Sequence, residues 1–120
     1  MSQAILLQDW FTVRGASSGD PVVQAFNDWA DLGGYVDVIF YLDVSSFSGS
    51  PSVRYQTSPM LDESLFASMA NVSVNSTGLT QTVIRYASAS VPLRRWVRWR
   101  LDGASAYAVT FRIWMAVRPG

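Results

Sequence analysis

Apolar and polar residues alternate along most of this chain at the two-residue period of a β-strand. The stretch "YVDVIFYLDV" is the clearest case: Val36, Val38, Phe40, Leu42 and Val44 fall on one face, and Tyr35, Asp37, Ile39, Tyr41 and Asp43 on the other. "AILLQDWFTVR" brings Ile5, Leu7, Phe11 and Val13 to one face, and the turn-rich "GASSGDP" ends it. "SVRYQTS" and "QTVIRYASA" are shorter candidates bounded by Gly, Ser or Pro. Two segments break the alternation. "SPMLDESLFASMA" reads as a short helix or as an irregular crossover: Ser58 is a cap, Pro59 suits a first turn, and Leu61, Leu65 and Met69 recur every four residues. "VVQAFNDWADLGG" reads as a strand or a helical turn, stopped by Gly33 and Gly34.

The segment "LRRWVRWRL", residues 93 to 101, sets four arginines and two tryptophans in nine positions. Written as a strand, it has Arg95, Val97, Trp99 and Leu101 on one face and Arg94, Trp96, Arg98 and Arg100 on the other. "TFRIWMAVR" divides the same way, with Phe111, Ile113, Met115 and Val117 inward and Thr110, Arg112, Trp114, Ala116 and Arg118 outward. The turn pair Asp102 and Gly103 lies between them. A hairpin is therefore expected, with Trp96 opposite Trp114, Arg98 opposite Arg112, and Trp99 opposite Phe111 on the buried side. Opposed arginines repel unless an acid or an aromatic ring shares the face, a role open to Asp37, Asp43 or a neighbouring subunit.

Many short strands separated by turns predict an all-β chain, an antiparallel β-sandwich or jelly roll with at most one or two short helical turns, as one domain over residues 1–120. Composition changes this picture in one respect. Charged residues make up only 15% of the chain, against about 25% in ordinary soluble domains. That is too little to cover a monomer's surface, so part of it is expected to be buried against other chains.

Charge and residue types also exclude chemistries. All nine basic residues are arginine, eight of the nine acids are aspartate, and the net charge is zero, which argues against a general nucleic-acid binder. Arginine and apolar residues separate at a period of two rather than 3.6, so no membrane-surface helix is expected. No run is long and apolar enough to span a bilayer, and no basic region precedes the first short apolar stretch, so the chain is expected to be made in the cytoplasm without export. Histidine, cysteine and lysine are absent, which removes disulfides, the usual near-neutral base, thiolate or imidazole metal ligands and the Schiff-base amine. No glycine-rich phosphate cradle is present. The close acid pairs Asp28 with Asp31 and Asp62 with Glu63 read as turn and helix-start residues. No catalytic residue, metal site or cofactor is therefore expected, and the chain reads as a non-enzyme.

The residues left for function are Arg94, Trp96, Arg98, Arg100, Arg112 and Trp114, joined by Tyr35 and Tyr41. Buried Trp and Arg dominate protein interfaces, and Trp and Tyr also stack on sugar rings, so the face reads as a homo-oligomer contact or as a glycan-binding surface. Arginine suits the first use because its planar fork stacks on aromatic rings and grips carboxylates.

Two resemblances bear on this. The order "WADLGGYVDVIFYLDV", "VRYQTSPMLDESLF", "LRRWVRWRL" and "VTFRIWMAV", over about residues 28 to 117, resembles the landmarks of discoidin-like, galactose-binding jelly rolls. That resemblance implies the fold; the family's terminal disulfide is absent, so its ligand residues do not carry over. Considered whole, the lysine-free, unexported chain resembles small structural proteins of tailed bacteriophage heads, including capsid-decorating ones. This second resemblance implies a virion component that forms homo-oligomers, commonly trimers, on a larger protein shell.

Overall fold

A computed structural model describes residues 3–15 and 21–120. Among them the front sheet contains β1 (Gln3–Gly15), β4 (Tyr35–Ser48), β7 (Gly78–Ile84) and β9 (Tyr107–Pro119), in the order β1-β9-β4-β7. The back sheet contains β2 (Val22–Val23), β3 (Ala30–Asp31), β5 (Pro51–Ser58), β6 (Ala67–Ser73) and β8 (Trp96–Gly103), in the order β2-β8-β5-β6 with β3 also on β8. Every pairing is antiparallel.

β2 and β3 act as two halves of one interrupted strand, since both pair with β8. The chain then pairs from its ends inward: β1 with β9, β2 and β3 with β8, β4 with β7, and β5 with β6. This is a long hairpin rolled up on itself, the jelly-roll sandwich that the alternation predicts.

The alternation builds the core directly. Val38, Phe40, Leu42 and Val44 from β4, Phe111, Ile113, Met115 and Val117 from β9, and Val97, Trp99 and Leu101 from β8 are all buried between the sheets. Each such side chain contributes about 1.5–3 kcal/mol of burial. Phe40 stacks on Tyr55 across the sandwich, with centroids 3.9 Å apart and planes within 4°. Trp99 meets Phe111 edge-on at 5.1 Å.

That last contact was expected along a hairpin, but it is made across the core. β8 and β9 are consecutive yet lie in opposite sheets, joined by a crossing at residues 104–106. Trp96 consequently sits opposite Ser58 and Asp31, and Trp114 opposite Leu6 and Tyr41. Arg98 faces Gln56, and Arg112 faces Asp43. The physical reason is that both strands carry a full stripe of bulky apolar groups. Facing one another buries both stripes, whereas lying side by side would leave each still needing a cover.

The two ambiguous segments resolve locally. At 58–69 the crossover forms: the Ser58 hydroxyl accepts from the Met60 amide at 3.2 Å, a single 3-10 turn spans Glu63–Leu65, and Ala67–Ser73 pairs with β5. Residues 22–34 combine both readings, with short β2 and β3 separated by a 3-10 turn at Phe26–Asp28. Gly34 then takes φ +92°, a conformation other residues rarely adopt. Phe11 was expected in the core and remains substantially exposed. It lies on an edge strand, beyond two register shifts in the β1–β9 ladder. The turn expected at "GASSGDP" falls mostly outside the described residues. Among those described, no helix is long and apolar enough to cross a membrane.

Candidate functional site

Because β8 and β9 occupy opposite sheets, the arginine and tryptophan residues singled out in the sequence divide between two outer faces. Arg94, Trp96, Arg98 and Arg100 belong to the back, and Arg112 and Trp114 to the front with Tyr35 and Tyr41.

On the back face the arginines are largely consumed by structure. Arg98 is only 3% exposed. Its Nε donates to Gln56 Oε1 at 2.8 Å, its Nη1 pairs with Glu63, and its guanidinium lies over the rings of Phe66 at 4.0 Å and Trp29 at 5.0 Å. The segments around the two 3-10 turns thus roof the outer side of the back sheet. A charge can be buried there because donors, carboxylate and aromatic faces all meet it. The Arg98 contact holds the Glu63 carboxyl below its ordinary range.

Arg100 and Arg54 are register partners, and Asp102 lies between them, 3.1 Å from Arg100 Nε and 2.9 Å from Arg54 Nε. Arg95 grips Asp31 through two bonds of 3.1 and 3.0 Å, which lowers the Asp31 carboxyl. Its guanidinium also lies 5.2 Å from the Trp96 ring centre. Arg94 is exposed just ahead of β8, where its amide donates to Thr57 Oγ1 at 2.9 Å.

The acid pairs are structural as well. Asp62 caps the turn at Ser64 by accepting from its amide at 3.0 Å, and Glu63 holds Arg98. Asp28 lies within the first 3-10 turn, and Asp31 holds Arg95.

The front face differs. Cross-strand registers put Leu6, Trp114, Tyr41 and Gln81 in one row across all four strands, and Ala4, Ala116, Ile39 and Val83 in the next. Leu6 is 39% exposed, Trp114 38% and Val83 41%. These rows form an apolar band with charges at its borders. On one side Arg112 pairs with Asp43 at 3.5 Å and lies 4.7 Å from the exposed Trp10 ring. On the other, Arg118 pairs with Asp37 at 2.8 Å, and Asp37 also accepts from the Tyr86 amide. Tyr35 is committed locally, its hydroxyl donating to Gln3 Oε1 at 2.6 Å. A shallow depression of about 160 Å³ opens beside the band, floored by Ile39, Val83 and Ala116 and bordered by Asp37, Arg85 and Arg118.

Sequence reasoning thus found Trp114, Tyr41 and Arg112 on the front and missed Leu6 and Val83 beside them. A signal existed for both. Leu6 stands one position out of phase with the core residue Leu7, and Val83 is one position out of phase with Ile84, so each had to face outward. Gln24 carried no signal. Its buried amide donates to Leu7 O at 2.8 Å and accepts from the Trp99 amide at 3.3 Å, tying β1 to β8.

No family model matches the chain, and no curated protein matches it. Among solved structures it is similar to a chain in the structure of infectious bursal disease virus, Gx strain, at 9% identity and a TM-score of 0.50 over 100% of this chain. It spans about a third of that longer chain, 32%. It is also similar to a chain from Bacillus endospore appendages, described as disulfide-linked pili, at 14% identity and a TM-score of 0.39, covering 98% of this chain and 92% of that one. At these identities the viral likeness is one of β-sandwich fold.

Proposed function

We propose that this protein is a non-enzymatic structural subunit that associates with copies of itself and with a larger protein shell, as a decorating or stabilising component of a virus particle. The observation that carries the reading is the apolar band of Leu6, Trp114, Tyr41, Ile39 and Val83 on the outer face of the front sheet, with charges at its borders. An apolar centre with a polar rim is the anatomy of a protein interface. The low overall charge supports it, as does the viral setting of one fold neighbour. The resemblance to phage head proteins favours a trimer in a tailed-phage virion, with Trp114 as the anchor of each contact.

Light scattering at micromolar concentration tests the reading. The chain should run as one discrete oligomer, and Leu6→Ser with Trp114→Ser should shift it to smaller species without loss of β-sheet circular dichroism. A wild-type chain that stays monomeric throughout would overturn it.

The depression beside the band favours a second reading as a glycan-binding module, since Arg85, Arg118 and Asp37 surround an apolar floor next to the Trp114 and Tyr41 rings. A glycan array separates the two: sugar binding lost in Trp114→Ala would support the lectin, and no binding to any glycan removes it.

A further inference from the structure

A sheet edge presents unpaired backbone donors and acceptors, and proteins usually blunt such edges with charges, prolines, bulges or breaks. Three of the four edges described in this sandwich are blunted. β1 has two register shifts and carries Asp9 and Arg14; β6 is shifted where its pairing steps from Tyr55 to Gln56; β2 and β3 are two-residue pieces separated by a 3-10 turn. β7 is different. Its seven residues, "GLTQTVI", run in unbroken register against β4 from Ile84 opposite Val38 to Gly78 opposite Val44. They include no charge and no proline. A short, uncharged segment rich in Thr, Val and Ile is what extended pairing favours.

We infer that the β7 edge pairs antiparallel with β7 of a second copy of this chain, about a twofold axis through Gln81, joining two four-stranded front sheets into one of eight strands. The strand is complementary to its own reverse. Around Gln81, Leu79 falls opposite Val83 of the second copy on the outer face, and Thr80 falls opposite Thr82. Leu79 is the most exposed large apolar side chain among the described residues, at 65%, and its partner Val83 is also out in solvent. The pairing covers both twice over. Threonine pairs and aliphatic pairs are favourable cross-strand neighbours. Beyond the strand, Arg85 falls opposite Thr77, so no like charges meet. This contact shares only Val83 with the front-face association proposed above and does not depend on a viral role.

Two measurements test it. Amide exchange on the wild-type chain should slow about tenfold or more across residues 78–84 between about 1 and about 100 µM, with β1 unchanged. The chain has no cysteine, so Gln81→Cys introduces a single thiol on the axis. Mild oxidation should link it into a dimer much faster than the control Thr12→Cys on the blunted β1 edge, and equally fast when Trp114→Ser is added. Concentration-independent exchange across 78–84, or linkage of Gln81→Cys no faster than the control, would overturn the inference. Linkage abolished by Trp114→Ser would place the contact on the sheet face and overturn it equally, while leaving the front-face reading intact.

Discussion

Arg98 shows how one residue is read differently by pattern and by packing. Period-two alternation puts it outward, which is correct for its own sheet, but a roof of Trp29, Phe66 and Glu63 closes over it. Replacing Arg98 with alanine removes both the charge and the stem between two rings and should cost about 2–4 kcal/mol. Arg98→Met keeps the stem, and the exposed Glu63 can return to water, so its cost should be about 1–2 kcal/mol. Denaturant unfolding of the two variants checks the order, and equal losses would show that the guanidinium rather than its packing matters. Because the fold lowers the Glu63 carboxyl, the pair contributes stability above the ordinary carboxylate range, and that contribution is lost as pH falls through the folded value. In Arg98→Met this acid-side loss should shrink. At the alkaline end the sign reverses. Burial raises Tyr55 and Tyr107 above the ordinary value near 10, with Asp102 adding to the shift of Tyr107. The unfolded chain therefore ionises first, so stability is complete below about pH 10 and falls above it. The tyrosinate absorbance that Tyr55→Phe removes should be a step that coincides with loss of circular dichroism; if the absorbance it removes develops well before unfolding, Tyr55 is not buried as described.

Turns and crossovers decide where each strand goes. Gly49 sits at φ +74° between β4 and β5, and a Cβ there would meet the Ala106 carbonyl oxygen at 2.6 Å. Gly49→Ala should therefore cost about 1–3 kcal/mol, measurable as a lower melting temperature. The strands themselves were legible because their inner faces are unmixed. From Val38 to Val44 in β4 and from Phe111 to Val117 in β9 every other residue is in the core, as the pattern reads; Val36, placed on the same face, is only half-buried, beside a register shift at the start of β4. Which strand lies beside which was not legible. Asp102 and Gly103 are consistent with a hairpin turn and equally with a sheet-to-sheet crossing, since both need only a reversal of direction. The choice is made by the apolar stripes of β8 and β9 seeking each other across the core. The candidate surface was half legible for the same reason: each residue's face was right, but the assumed pairing merged two faces that lie on opposite sides of the sandwich.

For the whole molecule, an apolar face and an unblunted edge on the same front sheet give two separate ways to associate. In the proposed trimer the face contact closes into a small ring, whereas the twofold edge contact closes into a pair. Used together by one protein, they connect rings through pairs and build an extended layer. The two contacts can be titrated apart, because Trp114→Ser touches the first and Gln81→Lys, which sets two like charges on the axis, chiefly weakens the second. Electron microscopy of the wild type at high concentration should show sheets or shells, and each variant only discrete particles.

The position of the last strand has one further consequence. β9 is not at the rim of its sheet but between β1 and β4, so β1, though made well before it, has no sheet partner until β9 has been made. A nascent polypeptide still short of Ala108 holds a divided front sheet with its inner stripe open to water, and it should remain sensitive to protease on the ribosome. Emergence of β9, rather than gradual accretion, should be the event that closes the sandwich.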